Sequence, residues 1–144
     1  MKFLILNGPN LNLLGQREPD IYGHDTYDDL CQLICDHAKA CQVTVDILQS
    51  NHEGALIDAI QQAQGEYDGI VINPAAYTHY SFAIHDALKA VTVPAVEVHI
   101  SDISTREEWR QRSVTAPACR KVIMGHGFAG YLEALDYLME VFQS

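Results

Sequence analysis

The sequence predicts an α/β protein in three αβα layers, with helices on both faces of a five-stranded, doubly wound parallel sheet. Three observations carry this. Five short apolar, largely β-branched runs occur at 2–6, 43–48, 69–73, 95–100 and 121–125. Such runs suit strands buried on both faces. Helical periodicity separates them: Leu30, Leu33, Ile34 and His37–Ala38, then Leu56, Ile57, Ile60 and Ala63, and finally Leu132, Leu135, Leu138, Met139 and Phe142. Strict alternation of the two patterns implies right-handed crossovers.

Helix caps agree with the periodicity. Thr26 stands before the first helix with Asp29 three residues on, and Ser104 before a short helix with Glu107 at the capping-box position. No linker, repeat or low-complexity segment divides residues 1–144, so one domain is expected. Five strands in this length suit the flavodoxin-like order 2-1-3-4-5, whose ligands bind at the carboxyl ends of the strands.

Nineteen acidic against nine basic residues give a formal charge of −10. That balance speaks against sequence-blind nucleic-acid binding and against anionic membranes. An anionic substrate needs a local basic cluster, and Arg106, Arg110 and Arg112 supply one. The apolar opening MKFLIL is too short for a signal peptide or a spanning helix, and a cytoplasmic location is expected. Cys31, Cys35, Cys41 and Cys119 lack CxxC spacing; they read as buried, reduced thiols, three of them within the first helix.

The chemistry concentrates at strand ends. The first strand feeds a long loop, NGPNLNLLGQREPDIYG, which carries Asn10, Asn12, Arg17 and Tyr22. Loops of that length more often serve a function than merely connect. A phenol with a pKa of about 10 needs its pKa lowered by roughly 2–3 units to act as a base near neutrality. Arg17, five residues before Tyr22, can supply the cation, with Arg106 or Arg110 in reserve. The bland alternative is a tyrosine that anchors the loop.

In the fourth strand, AVEVHIS, alternation puts Glu97 and His99 on one face. A carboxylate there can accept one ring N–H, fixing the tautomer and leaving the other nitrogen for proton transfer. The third strand ends INPAAYTHYS, with Asn73 and His79 on a further carboxyl-end loop. Residues 125–130 match GxGxxG but follow the last strand, so no acidic residue on a later strand can bind a ribose. These glycines read as a tight turn and close helix–sheet packing. His24, His37, His52, His85 and His126 show no metal-ligand spacing and read as surface or packing residues.

Taken together, these segments resemble the type II 3-dehydroquinate dehydratases nearly end to end. The likeness runs from NGPNLNLLGQREPDIYG through QSNHEG, INPAAYTHYS and EVHISDISTREEWRQRS to GHGFAGY. It implies a cofactor-free, metal-free lyase that converts 3-dehydroquinate to 3-dehydroshikimate by anti elimination through an enolate. The pathway is the shikimate route to chorismate and the aromatic amino acids, or quinate breakdown. The resemblance also implies a homo-oligomer, a dodecamer built as a tetramer of trimers.

By that resemblance Tyr22 is the base, Arg17 lowers its pKa, and Asn10 holds the water that stabilises the enolate. His99 is the general acid and Glu97 its orienter. Asn73, His79 and Arg110 bind ring hydroxyls, Ile100 and Ser101 the substrate carboxylate, and Asp86 reaches the site of a neighbouring subunit. No lysine stands at a position suited to an imine mechanism. The chain departs from the usual family residues at Ala75 (Gly), Tyr80 (Thr), Asp102 (Asn), Gln111-Arg112 (a histidine pair) and Arg120-Lys121 (small residues). Two rivals stand beside this reading: a flavodoxin-like nucleotide-binding module, and a catalytically silent paralogue.

Overall fold

A computed structural model describes residues 1–16 and 25–143. Five strands, β1 (Lys2–Asn7), β2 (Thr44–Gln49), β3 (Gly69–Asn73), β4 (Ala95–His99) and β5 (Lys121–Met124), form one sheet in the order β2-β1-β3-β4-β5. Every pairing is parallel. Order and orientation are those the sequence predicts.

Strand alternation divides the core. Phe3, Ile5, Val71, Val96 and Val98 pack with Leu30 and Ile34 of α1 (Tyr27–Ala40) and Leu135 and Leu138 of α4 (Ala129–Gln143). Leu4, Leu6, Ile70 and Ile72 pack with Leu56 and Ile60 of α2 (Glu53–Gln62) and Ile84 and Leu88 of α3 (Phe82–Ala90). Each helix buries one apolar stripe against the sheet, whose central strands β1, β3 and β4 are covered on both sides while the edge strands β2 and β5 are only partly buried.

Thr26 closes a full capping box with Asp29. Helix α3 is absent from the periodic segments named above, although Ile84, Ala87 and Leu88 follow the helical spacing and the Ser81 hydroxyl accepts from the Ile84 N–H. The expected cap at Ser104 is wrong. Asp102 caps a 3₁₀ turn over Ile103–Thr105, accepting from the Ser104 N–H and hydroxyl, and Glu107 opens a second turn over Glu108–Arg110. A short aspartate beats a serine here because its carboxylate reaches its own chain two residues on.

The cysteines also differ from expectation. All four are free, but Cys35 is exposed, the other three are half-buried, and Cys41 lies just beyond the end of α1. The glycines at 125–130 bear out the turn reading: Gly125 and Gly127 have φ of +82° and +59°. A Cβ on Gly130 would lie 3.3 Å from Val98 Cγ1.

No helix among the described residues is long and apolar enough to cross a membrane.

Candidate active site

The order reverses between β1 and β3, the switch point at which doubly wound sheets bind ligands. In register there, Asn7 ends β1 beside Asn73 at the end of β3. Gly8 follows, its N–H donating to the Asn73 carbonyl at 2.8 Å. A Cβ on Gly8 would stand 2.5 Å from the Pro74 carbonyl oxygen, so only glycine lets the two loops come this close.

Above these strand ends lies a cavity. Asn10, Asn73, His79, His99, Ile100, Ser101 and Arg110 all line it, seven of the predicted site residues. Pro9, Leu11, Ala75, Ala76 and Ile103 form its less polar walls, and Arg106 adds a second cation.

Buried groups fix several of these side chains. The Asn73 amide donates to the Tyr131 hydroxyl at 3.0 Å and accepts from the Ala75 N–H at 3.0 Å. Tyr131, fully buried, donates onward to Asn7 Oδ1 at 2.7 Å. One hydrogen and one lone pair of the Asn73 amide remain for a ligand. Ala75 holds a φ of +53°, in the left-handed region that favours glycine.

His79 lies under Trp109, with Nδ1 2.8 Å from the Arg112 carbonyl. A carbonyl can only accept, so Nδ1 carries the proton and Nε2 presents a lone pair. Burial pushes the His79 pKa below its ordinary value, and the neighbouring His99, Arg110 and Arg106 push the same way. A neutral ring whose Nε2 can accept a hydrogen bond is the outcome.

Glu97 and His99 share a face as predicted, and His99 Nε2 stands 2.8 Å from Glu97 Oε2. The glutamate side chain is wholly buried. Burial alone would raise its pKa, but hydrogen bonds and charge from His99, with the Thr115 and Ser113 hydroxyls, bring it below the ordinary range. An ionised Glu97 makes Nε2 the donor and leaves His99 Nδ1 for chemistry.

The basic cluster splits. Arg110 lines the cavity, donates to Glu107 at 2.8 Å and stacks over Trp109 at 3.9 Å. Arg106 also reaches the cavity, with Nη1 3.4 Å from Ser101 Oγ. Arg112 does not: it is exposed and lies on an outer depression with Tyr80, Glu108 and Trp109. Tyr80 is likewise exposed and turned to Tyr77, so it leaves the cavity's walls unchanged.

Asp86 is exposed on α3 and does not line this chain's cavity, and neither does Asn12. Arg17, Tyr22 and His24 lie outside the described residues. The reading of His37 needs one correction. It lies beside Cys41, with 3.7 Å from Nε2 to Sγ, and its ring meets Asp136 at 2.7 Å. Together these three could span a metal ion, but they stand away from the strand ends and the ring nitrogen already faces Asp136 within hydrogen-bonding distance.

The "Dehydroquinase class II" family model matches residues 1–139. The chain belongs to the class II dehydroquinases. It is 55% identical over 138 residues to the 3-dehydroquinate dehydratase of Clostridium acetobutylicum, covering 96% of each. Against the enzyme of the same name from Thermotoga neapolitana it is 55% identical over 141 residues, covering 98% of this chain and 96% of that one. The crystal structure of the type II dehydroquinase from Butyrivibrio crossotus superposes with a TM-score of 0.95 at 52% identity, covering 96% of this chain and 97% of that one. The sheet order and αβα layering are therefore the dehydroquinase fold, and a nucleotide-binding module is not favoured.

Proposed function

We infer that this chain is a 3-dehydroquinate dehydratase of the type II class, acting in the shikimate pathway. It removes water from 3-dehydroquinate to give 3-dehydroshikimate. One hydrogen leaves the carbon beside the ketone, an enolate forms, and the hydroxyl departs with a second proton as water. Such a reaction needs a base, an oxyanion stabiliser and an acid.

The observation that carries this reading is the buried Glu97–His99 pair, whose histidine opens on a cavity with Asn10, Asn73, Ser101 and Arg110. His99, carrying hydrogen on both ring nitrogens, gives its Nδ1 proton to the leaving hydroxyl and keeps Nε2–H on Glu97. Asn10 holds the water that stabilises the enolate. Neutral His79 accepts from a ring hydroxyl, and Asn73 and Arg110 bind the others. The Ile100 backbone and the Ser101 hydroxyl bind the carboxylate, and the cationic Arg106 and Arg110 on the same cavity suit an anionic substrate. Tyr22 takes the first proton and Arg17 lowers its pKa; both roles rest on the sequence.

The assembly is a dodecamer of four trimers in the cytoplasm, with Asp86 reaching a neighbouring copy's site. Its support is the exposed position of Asp86, off its own chain's cavity. Tyr22→Phe tests the assignment of the base. Loss of turnover with substrate binding retained in calorimetry supports it, whereas near-normal turnover refutes it.

A further inference from the structure

Behind His99, three hydroxyls from two distant segments meet on one carboxylate. Thr115 Oγ1 donates to Glu97 Oε1, while Ser113 Oγ and Thr78 Oγ1 approach Oε2 at 2.8 and 3.1 Å. Thr78 also stands 2.6 Å from Ser113 and 2.7 Å from Thr115. Thr78 and Thr115 are completely buried. Ser113 Oγ accepts from the Ala116 N–H at 3.0 Å, which occupies a lone pair and turns its own proton inward.

The hydrogens can be counted. A carboxylate offers about four acceptor positions, and each hydroxyl has one proton to give. The Thr115 hydroxyl lies on Oε1 and the Ser113 hydroxyl on Oε2, next to the imidazole N–H of His99. Thr78 has one proton for three close acceptors, Glu97 Oε2 and the two outer hydroxyl oxygens, so it completes the cluster by donating to one of them at a time. A carboxyl group that loses such donors in a buried site takes up a proton instead. A protonated Glu97 can then donate to His99 Nε2, and the imidazole hydrogen must move to Nδ1.

We propose that Thr78, Ser113 and Thr115 are positioning residues for the dehydration. Their protons commit Glu97 to accepting from His99 Nε2–H, so the second ring proton, the one given to the departing hydroxyl, is carried on Nδ1 and the neutral ring left behind is the Nε2–H tautomer. The inference rests on the acid role given to His99 above. None of the three hydroxyls lines the substrate cavity, so they act through Glu97 alone.

The test compares Thr115→Val, nearly the same shape without the hydroxyl, with Thr115→Ser, which restores it. In the valine variant kcat falls by about 10–100-fold, short of the ~10²–10⁴-fold contribution of a general acid, while KM stays within about twofold. The serine variant recovers most of the rate. In protein carrying ¹⁵N-labelled histidine, with the His99 signals identified by their loss in His99→Gln, the neutral ring shows its hydrogen on Nε2. Thr115→Val moves a measurable fraction to Nδ1. If the valine variant does not fold, Ser113→Ala provides the same two readings.

A folded variant with unchanged kcat and an unchanged ring overturns the proposal, and so does a rate loss that serine does not recover. Undiminished turnover in His99→Gln removes the acid role instead. The ring spectrum then still reports on the hydroxyls independently.

Discussion

Asn73 Nδ2 and the Tyr131 hydroxyl, 58 residues apart in sequence, meet at 3.0 Å beneath the cavity floor. The bond ties the end of β3 to α4, and Tyr131 passes the chain on to Asn7 at the end of β1. Three elements are thus held by one phenol. A strand end that must hold a substrate in fixed orientation needs such a support, because the asparagine amide alone could rotate.

Tyr131→Phe tests that support. Removing the hydroxyl leaves the Asn7 carbonyl and an Asn73 N–H without a partner inside the core. A cost of about 1–3 kcal/mol is expected in denaturant unfolding. KM rises more than kcat falls, because Asn73 binds without taking part in proton transfer. An unaltered KM would mean that Ala75 alone orients the amide.

Two backbone positions make opposite predictions. Gly8→Ala forces a methyl to within 2.5 Å of the Pro74 carbonyl, and the rigid backbone on both sides must shift. A loss of about 1–3 kcal/mol is expected, with a drop in activity as the Asn73 loop moves. Ala75→Gly relieves a left-handed residue and is expected to be neutral or to stabilise by up to about 1 kcal/mol, the relief being partly offset by the freedom glycine gains when unfolded. Equal stability changes of one sign in both variants would contradict the packing described here.

Much of this was legible in the sequence. The central strands β1, β3 and β4 are readable because both of their faces are buried, which forces continuous apolar runs. The edge strands β2 and β5 are only partly buried and show through their β-branched residues. Glu97 and His99 could be paired because strand alternation is a strict rule. The hydroxyl cage around Glu97 had no such signal: Thr78 comes from a turn after β3, and Ser113 and Thr115 from a segment 35 residues further on. Serines and threonines in turns are common, and only the tertiary fold brings these three together. Asp102 as the cap illustrates the same limit on a local scale, since several polar residues in one turn compete for the same backbone N–H groups.

Acid should destabilise the protein partly through Glu97. Its pKa is held below the ordinary value of 4.5 in the folded state. A carboxylate depressed in this way contributes stability that is fully present above the unfolded value and is lost as the pH falls through the folded one. The melting temperature should therefore drop as the pH falls below about 4.5, and Glu97→Gln should flatten that drop while lowering stability near neutrality. A variant with the same acid slope as the parent would show that other carboxylates dominate.

His99→Gln keeps a polar side chain but cannot transfer a proton. A fall in kcat of about 10²–10⁴-fold with KM little changed is expected in steady-state kinetics. Loss of binding without loss of turnover would make His99 a binding group only.

The account's central claim is most directly tested by adding 3-dehydroquinate to the purified protein and following the ultraviolet absorbance of the conjugated enone product, with and without borohydride pretreatment. None of the four lysines, Lys2, Lys39, Lys89 and Lys121, lines the cavity, so no imine is available for the reagent to trap there. A rise in absorbance that borohydride leaves unchanged is the predicted result. No rise from a folded, assembled protein, or a rise abolished by borohydride, would contradict it.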